Sequence, residues 1–462
     1  MEIEVFTTPG LGDNSYLVVA GDEAALIDPQ RDAWRFLDVA RAKKASVRYV
    51  LETHLHNDYL SGALETRAAT QAEIVAPATG GYAFPHRPMA EGDELRIGDY
   101  RIVAMETPGH TPEHIAWLLY EGGGQQLAAV FTGGSLLVGS TGRTDLLGDA
   151  LRDELTRAQY HSVRRLLDLP NNVQVLPTHG AGSFCVATSV DGERTTTVGQ
   201  ERRVNPVALA SNETAFAGQQ GDLPAYPAYY SRMAPINRVG PPVLARLPSV
   251  RALPPDAFEQ RLQAPDVWVV DARERHEFAR EHIPGSVNVE LGDSFGTYVG
   301  WVLPFNAPLL LVMPAQWGAL DEAVTQLIRI GSEHIEGVLE GGIAAWVASG
   351  RAARSYPVAD ITDLCEALSH NSDVRVLDVR QDTEWEQGHV PGSLHRFVGD
   401  LPSAVESLPR DQELWTACSS GFRAAIGASL LDRAGVPVRL VSHSGVEELL
   451  RRQCTEQAVD AA

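Results

Sequence analysis

The chain has 462 residues, which predicts two to four domains at roughly 100–200 residues per domain. Hydrophobic residues make up 44% of the chain and charged residues 21%, so a globular protein with ample core material is expected. Sixty acidic residues against 38 basic ones give a net charge of −22, which argues against nucleic acid or an anionic membrane surface as a main partner, because both select for basic patches.

The sequence contains no run of about 18 apolar residues, so we expect no membrane-spanning helix. Its start, MEIEVFTTPG, has no basic region followed by an apolar stretch, and we therefore expect no secretory signal. Four cysteines in so long a chain do not predict a disulfide framework, and a reducing, cytoplasmic location is the default expectation. These cysteines are Cys185, Cys365, Cys418 and Cys454.

Residues 1–200 alternate short β-rich runs with helical patterns. Seven runs predict strands that end at polar or glycine-rich loops: SYLVVA, AALIDP, VRYVLETH, AEIVAP, YRIVAMETPGH, LAAVFTGG and VQVLPTHG. Three patterns with apolar residues at helical spacing predict helices: AWRFLDVARAKK, SGALETRAATQ and DELTRAQYHSVRRLLDL. We therefore expect an α/β domain, and a sandwich of two sheets fits this number of strands.

The remaining chain divides into a connector and two similar domains. Residues 201–248 are rich in proline and tyrosine without a sustained period, and they predict an ordered connector. VWVVDARERHEFAREHIPGSVNVEL parallels VRVLDVRQDTEWEQGHVPGSLHRFV further along the chain, which indicates an internal repeat. We expect two consecutive α/β domains, at residues 249–355 and 356–462.

Four histidines directly follow predicted strands. His54 and His56 lie two residues apart after VRYVLET, His110 follows the strand YRIVAME in a TPGH segment, and His179 follows VQVLP. Imidazole is the commonest metal ligand near neutral pH, and histidines at neighbouring strand ends converge at one edge of a sheet. The sequence therefore predicts a metal site.

These motifs carry a family resemblance. The HxHxD, PGHT and distal-histidine elements resemble the metallo-β-lactamase fold, which implies an αββα sandwich, and Asp58 and His179 match its second metal position. GRTD at 142–145 and GAGSFC at 180–185 resemble more narrowly the persulfide dioxygenases that are fused to rhodanese domains. The resemblance implies one non-haem iron(II), or zinc, held by two histidines that match His54 and His110 and by an aspartate that follows a Thr-Gly pair.

The chain departs from this pattern at two positions. Tyr59 stands where the last histidine of HxHxDH is expected, and Gly134 stands where the aspartate is expected. Because glycine has no side chain, the set of two histidines and one carboxylate cannot form from the family positions. Two-metal hydrolysis is also disfavoured, because a bridging aspartate has to hold the two ions about 3.5–4 Å apart.

Three interpretations of the metal site remain open from the residues alone. A three-histidine site of His54, His56 and His110 could hold zinc or iron, since three imidazoles and a water are an accepted catalytic set. A nearby carboxylate, Asp58 or Asp145, could substitute for the missing one. Alternatively, the domain binds no metal, because a lost ligand usually abolishes the geometry that metal binding needs.

Cys185 follows closely after the distal histidine, and two interpretations apply to it. The resemblance implies a thiol that contributes to substrate binding near the metal site. The alternative is a small apolar core residue, because free cysteine is among the most buried residue types.

The second repeat predicts a nucleophile. The strand ELWTA leads into Cys418, Ser419, Ser420 and Gly421, and a helix begins near Arg423. The unpaired N–H groups and the positive end of this helix favour a thiolate, which is the nucleophilic form of cysteine. Gly421 permits the tight curve of the loop, and Arg423 can hold the loop or attract an anion. The same loop would stabilise a persulfide anion.

The CxxGxR loop and the flanking D-x-R and H-x-P-G-S motifs resemble the rhodanese family of sulfurtransferases. The resemblance implies that Cys418 carries the persulfide and that Arg423 is the loop arginine. Structural roles are implied for three further residues: Asp378, Arg380 and His389. The first repeat has Pro-Ala-Gln-Trp-Gly at the equivalent place, so it cannot carry sulfane sulfur and is expected to be an inactive scaffold or docking domain.

The resemblances imply an enzyme of persulfide metabolism, in which a persulfide dioxygenase-like domain produces sulfite and Cys418 transfers sulfur to give thiosulfate. Expected partners are a low-molecular-weight thiol persulfide, sulfite or thiosulfate and further copies of the chain, with neither nucleic acid nor a membrane. The main alternative is a sulfurtransferase whose front domain is a metal-free pseudoenzyme. A zinc-dependent hydrolase is disfavoured by Gly134, and a non-enzymatic role is disfavoured by the intact Cys418 loop.

Overall fold

The computed structural model divides into two compact units and confirms the predicted α/β fold class. It describes residues 2–123, 125–187, 192–219, 223–370 and 373–452, so Cys454 lies outside the described residues. The first unit comprises residues 1–248 and 328–331, and the second comprises residues 249–327 and 332–462. Among the described residues, no helix combines the length and apolar character needed to cross a membrane.

The first unit contains fourteen described strands. In chain order they are β1 (Glu2–Thr8), β2 (Asp13–Ala20), β3 (Glu23–Ile27), β4 (Ser46–Leu51), β5 (Glu73–Pro77), β6 (Arg87–Met89), β7 (Glu94–Ile97), β8 (Tyr100–Glu106), β9 (Ile115–Glu121), β10 (Gln126–Gly133), β11 (Leu136–Leu137), β12 (Ser140–Thr141), β13 (Gln174–Pro177) and β14 (Thr196–Thr197). They form two six-stranded sheets, β1-β2-β3-β4-β5-β6 and β14-β13-β10-β9-β8-β7, and the small pair β11-β12.

The helices of the first unit are α1 (Trp34–Ala42), α2 (Ala63–Thr70), α3 (Asp149–Leu167), α4 (Val198–Val204), α5 (Pro206–Leu209), α6 (Glu213–Gln219) and α7 (Tyr230–Val239). The first three match the helices predicted from apolar spacing. The segment expected to be an ordered connector holds α5, α6 and α7, although its sequence shows no sustained period. Asn205 ends α4 and caps α5, where its side chain accepts a hydrogen bond from the Val207 N–H at 3.1 Å.

Both faces of each six-stranded sheet are buried, one against the other sheet and one against helices, so the first unit has four layers. Alternate residues of β2 point in opposite directions: Tyr16 and Val18 pack between the two sheets, whereas Leu17 and Val19 pack against α1 and α2. The outer face of the other sheet packs against α3, α4, α5 and α6. The order is therefore helix, sheet, sheet, helix, as the resemblance implied.

Strand β9 was not predicted from the sequence. Its first five residues, Ile115 to Leu119, are all buried, because it lies inside its sheet with both faces covered. A strand of this kind shows a continuous apolar run instead of alternation, and the run follows the TPGH loop without a turn signal. Period-two patterning alone could not separate it from a loop or a buried helical turn.

The second unit contains ten described strands: β15 (Ala252–Leu253), β16 (Trp268–Asp271), β17 (Val287–Asn288), β18 (Leu309–Val312), β19 (Ile335–Leu339), β20 (Val358–Ala359), β21 (Arg375–Asp378), β22 (Leu394–His395), β23 (Leu414–Ala417) and β24 (Val438–Val441). The helices described in the rest of the chain are α8 (Pro255–Leu262), α9 (Arg275–Arg280), α10 (Phe295–Val302), α11 (Ala319–Arg329), α12 (Gly342–Ala348), α13 (Ile361–His370), α14 (Asp382–Gln387), α15 (Leu401–Ala404), α16 (Phe422–Arg433) and α17 (Val446–Arg451), with a 3₁₀ helix at Val405–Ser407.

Two five-stranded sheets in the second unit share one topology. Their strand orders are β15-β19-β18-β16-β17 and β20-β24-β23-β21-β22, and the neighbouring strands within each sheet are parallel. The second order repeats the first, strand for strand. Strand β23, which precedes Cys418, therefore occupies the position that β18 holds in the first copy.

The Asp-x-Arg motif has the same geometry in both copies. Arg273 Nη2 lies 2.6 Å from Asp271 Oδ2, and Arg380 Nη2 lies 2.7 Å from Asp378 Oδ2. Each arginine also donates to a main-chain carbonyl eight residues further on, at 2.8 Å and 2.7 Å. All four side chains are buried, and each pair joins a strand end to the residue that directly follows the next helix.

Candidate functional site

The four histidines predicted as candidate ligands lie in the loops that follow β4, β8 and β13. Strand β4 leads to His54 and His56, β8 leads to His110, and β13 leads to His179. All four side chains are fully buried, and the rings of His54 and His179 have centroids 5.3 Å apart. The structure therefore brings the four histidines together, but not at the edge of one sheet as expected. His54 and His56 follow a strand of the first six-stranded sheet, whereas His110 and His179 follow strands of the second.

Three of these rings share one hydrogen-bonding arrangement. In each ring the Nδ1 atom lies 2.8 Å from a protein oxygen: Thr53 Oγ1 for His54, the Arg143 carbonyl for His110, and Asp13 Oδ1 for His179. Thr53 Oγ1 itself donates to Asp28, so it accepts from His54. This arrangement leaves the three Nε2 atoms as potential metal ligands.

The described residues form three overlapping groups whose ligand atoms all lie within 4.8 Å of one another. The groups are His54, His110 and His179; Asp28, His54 and His56; and His56, Asp58 and His179. The candidate set of His54, His56 and His110 is not one of them, and His179, expected only as a remnant of a second position, belongs to two.

His56 faces acidic groups. Its Nε2 lies 3.2 Å from Glu52 Oε2, 3.3 Å from Asp28 Oδ1 and 3.1 Å from the Tyr59 hydroxyl. Burial lowers the pKa of His56, but the carboxylates of Asp28 and Glu52 outweigh it and hold this pKa well above the usual value. Tyr59, which replaces the expected histidine, thus serves as a hydrogen-bond partner of His56.

The other cluster histidines favour the neutral form. Burial, followed by the charge of neighbouring histidines, lowers the pKa of His54 and His110 well below the usual value. Burial also lowers the pKa of His179, against the opposing effect of Asp58. Neutral imidazole is the form that binds metal ions, so these three rings are suited to that role.

Two carboxyl groups lie beside His179. Asp13 Oδ1 is 2.8 Å and Asp58 Oδ2 is 3.4 Å from His179 Nδ1. Burial raises the pKa of Asp13 to about 7, and burial together with Asp13 raises the pKa of Asp58 to about 8. Asp13 was not predicted from the sequence. The one feature that could have indicated a site residue is a charged side chain at the start of β2, whose residues are all buried.

Gly134 leaves no room for the expected aspartate. A Cβ atom added to Gly134 would lie 2.2 Å from His110 Cδ2. The His110 ring therefore occupies the space in which a side chain at this position would begin. Asp145, the other candidate carboxylate, is engaged elsewhere, because its two oxygens lie 2.7 Å from the Arg143 guanidinium.

His114 was missed by the sequence analysis. Its Nε2 accepts a hydrogen bond from the Gly134 N–H at 2.9 Å, and its Nδ1 lies 2.8 Å from Thr107 Oγ1. Burial lowers its pKa to about 3. The available signal was its spacing four residues after His110. Because both of its ring nitrogens are engaged with the protein, His114 supports the loop at Gly134.

The cluster fits a metal ion. His110 Nε2 and His56 Nδ1 are buried and have no hydrogen-bond partner among the described residues, which is costly unless a ligand satisfies them. The nearby donors are imidazoles and carboxylates, the ligand types preferred by zinc and iron. The described residues therefore supply a candidate metal site although Gly134 contributes no side chain.

Cys185 lies in an apolar cluster that includes Leu11, Tyr59, Tyr230 and Met233. It is fully buried, and burial together with the charge of Asp58 raises the pKa of its thiol well above the usual value. Its environment therefore favours a neutral thiol beside the histidine cluster.

The Cys418 loop has the geometry expected of a nucleophile. Cys418 Sγ lies 3.1 Å from the Gly421 N–H and 3.4 Å from the Ala424 N–H, and both groups donate to it. The side chain is only 1% exposed, and Gly421 has a φ of +95°, which favours glycine. Two N–H donors and the start of α16 can thus stabilise negative charge on sulfur.

Arg423 holds this loop through side-chain contacts. Its Nη2 donates to Glu384 Oε1 at 2.8 Å and to Ser419 Oγ at 2.9 Å. Burial raises the pKa of Glu384, but Arg423 outweighs it and holds this pKa below the usual value. At the equivalent place in the first copy, after β18, the side chain of Trp317 is 98% exposed and no cysteine is present.

Comparison with known proteins assigns families to both parts of the chain. A model of the metallo-beta-lactamase superfamily matches residues 8–179, and a rhodanese-like domain model matches residues 254–349 and 362–448. Mouse mitochondrial persulfide dioxygenase ETHE1 is 30% identical over 207 residues, which cover 43% of this chain and 73% of the mouse protein. A Cereibacter sphaeroides hydroxyacylglutathione hydrolase is 30% identical over 184 residues, which cover 39% of this chain and 67% of that protein.

A solved structure described as a metallo-beta-lactamase from Staphylococcus aureus is similar over a larger part of the chain. Its TM-score is 0.66 at 28% sequence identity, and the match covers 73% of this chain and 98% of that chain. The match therefore extends beyond the residues of the first family model.

Proposed function

Since the chain belongs to the metallo-β-lactamase superfamily, with homologues among the persulfide dioxygenases and tandem rhodanese-like domains behind that fold, we propose that it oxidises thiol persulfides and transfers sulfane sulfur. The first domain converts a low-molecular-weight thiol persulfide, dioxygen and water to the thiol and sulfite. The second rhodanese-like domain carries sulfane sulfur on Cys418 and passes it to sulfite, which gives thiosulfate.

The transfer step follows from the Cys418 loop. The Cys418 thiolate attacks the outer sulfur of the persulfide, the S–S bond of the donor breaks, and the donor thiolate leaves. A new S–S bond forms on Cys418, and sulfite then attacks the outer sulfur and releases the Cys418 thiolate. The N–H groups of Gly421 and Ala424 supply hydrogen bonds to Sγ in the charged form, while Arg423 holds the loop through Ser419.

The oxidation step belongs to the histidine cluster. When bound there, an iron ion would supply activation of dioxygen for oxidation of the terminal sulfur. The chain's own contribution is to orient the imidazoles through Thr53, Arg143 and Asp13 and to exclude water from the cluster. We assign Cys185 to this site as a substrate-binding thiol, because it packs in the same apolar cluster as Tyr59, whose hydroxyl contacts His56.

The proposal rests above all on one observation, the pair of N–H donors on Cys418 Sγ at the start of α16. It is supported by the relatives and by the buried, unpartnered Nε2 of His110. We further assign residues 249–355 to a domain without sulfur-transfer activity and residues 356–462 to the active one, and we expect a homo-oligomer.

The test uses full-length protein purified anaerobically and loaded with iron(II). Oxygen uptake, sulfite and thiosulfate are measured with glutathione persulfide, with and without added sulfite. We expect oxygen uptake in the wild type and in Cys418→Ser, but thiosulfate formation in the wild type alone. Absence of oxygen uptake by the iron-loaded wild type would contradict the first step, and unchanged thiosulfate formation in Cys418→Ser would contradict the second.

A further inference from the structure

We infer that His54, His110 and His179 are the three protein ligands of a single divalent transition-metal ion, and that His179 supplies the ligand which Gly134 cannot. This inference deepens the proposed function, because it names the ligands of the site to which the oxidation step is assigned. It differs from the candidate set predicted from the sequence, which contained His56 in place of His179.

The first support is the direction of the rings. The Nδ1 atoms of His54, His110 and His179 are all fixed at 2.8 Å from protein oxygens, and the three Nε2 atoms remain. In metal-binding histidines, the ring nitrogen that does not bind the metal almost always donates a hydrogen bond to an oxygen. This bond fixes the tautomer and the ring orientation. The partners come from three different parts of the chain, so the arrangement is not a local turn.

The second support is the spacing of these nitrogens. His54 Nε2 lies 3.3 Å from His179 Nε2. Two nitrogens bound to one ion at about 2.0–2.1 Å in tetrahedral geometry lie about 3.3–3.4 Å apart. Because each ring donates from Nδ1, two lone pairs face each other at this distance, and a cation between them would relieve their repulsion.

The third support concerns His110. Its Nε2 is buried without a hydrogen-bond partner among the described residues, and His110 belongs to one group with His54 and His179 whose ligand atoms lie within 4.8 Å of one another. The absence of a side chain at Gly134 creates the space that its ring occupies, since a Cβ there would lie 2.2 Å from His110 Cδ2. The ring of a proposed ligand therefore occupies the space in which the missing side chain would begin.

The other members of the cluster are less suited to this set. His56 directs Nε2 at Glu52 and Asp28. Its Nδ1 has no partner among the described residues, but neither group that contains His56 includes His110. His114 has both ring nitrogens engaged, with Thr107 and with the Gly134 N–H. Three neutral imidazoles bring no negative charge to a divalent ion, so the open position would favour an anionic ligand such as a persulfide or hydroxide.

The test measures metal binding by the full-length protein. Metal is removed with a chelator, and zinc(II) or cobalt(II) alone is titrated back with a chromophoric competitor. The key variant is His179→Asn, because asparagine can still donate to Asp13 from the position of Nδ1 but has no counterpart of Nε2. His56→Ala is the discriminating variant, and His161→Ala, on the surface of α3, is the control.

We expect about one ion per chain in the wild type, together with the absorption intensity of four-coordinate cobalt(II). His54→Ala, His110→Ala and His179→Asn should lose affinity by at least about 100-fold, whereas His56→Ala should stay within about tenfold of the wild type. Circular dichroism and the thermal unfolding midpoint of the chelated proteins establish that each variant is folded.

Wild-type affinity in folded His179→Asn would overturn the inference, and so would loss of the ion from folded His56→Ala. A wild type that binds neither metal would overturn both the inference and the proposed oxidation step. The expected binding pattern without oxygen uptake by the iron-loaded wild type would leave the ligand assignment standing and remove the oxidation step alone.

Discussion

Arg275, in the rhodanese-like copy without a cysteine, donates from Nη1 to the carbonyl of Ser420, in the loop that follows Cys418, at 3.3 Å. The same guanidinium forms an ion pair with Glu290 at 2.7 Å. Tyr298 of the first copy also contacts Phe422, with ring centroids 5.2 Å apart. The copy without a cysteine therefore forms part of the wall around the Cys418 loop.

We predict that Arg275→Ala slows sulfur transfer from Cys418 by about fivefold, because the loss of one hydrogen bond from a charged donor to the loop costs about 1 kcal/mol. Arg261→Ala is the matched control, since Arg261 belongs to the same copy and pairs with Glu336. The measurement is the rate of persulfide formation on Cys418 in a single turnover. Equal rates in the two variants would show that the first copy does not support the loop.

A second prediction concerns the conformation of the Cys418 loop. Gly421→Ala should lower the transfer rate at least tenfold, because a residue with a Cβ at a φ of +95° is strained by about 1–2 kcal/mol. The added Cβ would also lie 2.9 Å from Ser442 Oγ. The loop would shift, and the Gly421 N–H would move away from Cys418 Sγ.

Gly435→Ala is the matched control for this change. Gly435 lies in the same domain with a φ of +73°, but a Cβ there meets nothing within 4 Å. Both variants should lose thermal stability because both glycines have a positive φ, and only Gly421→Ala should lose transfer activity. A comparable loss of activity in both would attribute the effect to stability instead of loop geometry.

The Arg423–Glu384 pair predicts a pH dependence of stability. The pKa of Glu384 is held below its usual 4.5 in the folded protein, since Arg423 outweighs burial. A carboxyl group with a depressed pKa stabilises the fold above its unfolded pKa, and this contribution disappears as the pH falls through the folded pKa. The difference in unfolding midpoint between wild type and Glu384→Gln should thus be largest near neutral pH and shrink below about pH 4.5. A difference that stays constant down to about pH 3 would contradict this account.

An aspartate introduced at position 134, where the persulfide dioxygenases have one, should not recreate their metal site of two histidines and one carboxylate. In Gly134→Asp the new Cβ would displace the His110 ring, so we expect metal affinity at least about tenfold below that of the wild type. Gly134→Ala separates the steric effect from the carboxylate, and both variants should weaken binding alike. Tighter binding by Gly134→Asp than by the wild type, in the same competition titration, would show that a carboxylate is what the site lacks.

The sequence predicted well whatever depends on the ends of regular elements. His54, His110 and His179 follow strands whose alternating or β-branched patterns are visible, and Cys418 lies between a strand and a helix that are both predicted by their periodicity. A mixed sheet gathers such strand ends at one edge, which accounts for His110 and His179, since β8 and β13 belong to the same sheet. His54 follows a strand of the other sheet, and its approach to them depends on how the two sheets pack.

Features that depend on long-range packing could not be predicted in this way. The contact between His179 and Asp13 spans 166 positions, and that between Arg275 and Ser420 spans 145. The choice between His56 and His179 depends on which ring nitrogen faces which oxygen, and apolar spacing carries no information about that. His114 escaped notice for the same reason, because its partner is a main-chain N–H group at Gly134.

If Cys418 carries sulfur as proposed, its burial would limit which acceptors can remove that sulfur. With the side chain only 1% exposed, a protein disulfide meets a covered sulfur, whereas sulfite or a low-molecular-weight persulfide needs less rearrangement to reach it. A loaded protein should consequently survive gel filtration in the absence of a small acceptor and show the mass of one additional sulfur atom. The loop would then act as a store that releases its sulfur only when the acceptor arrives.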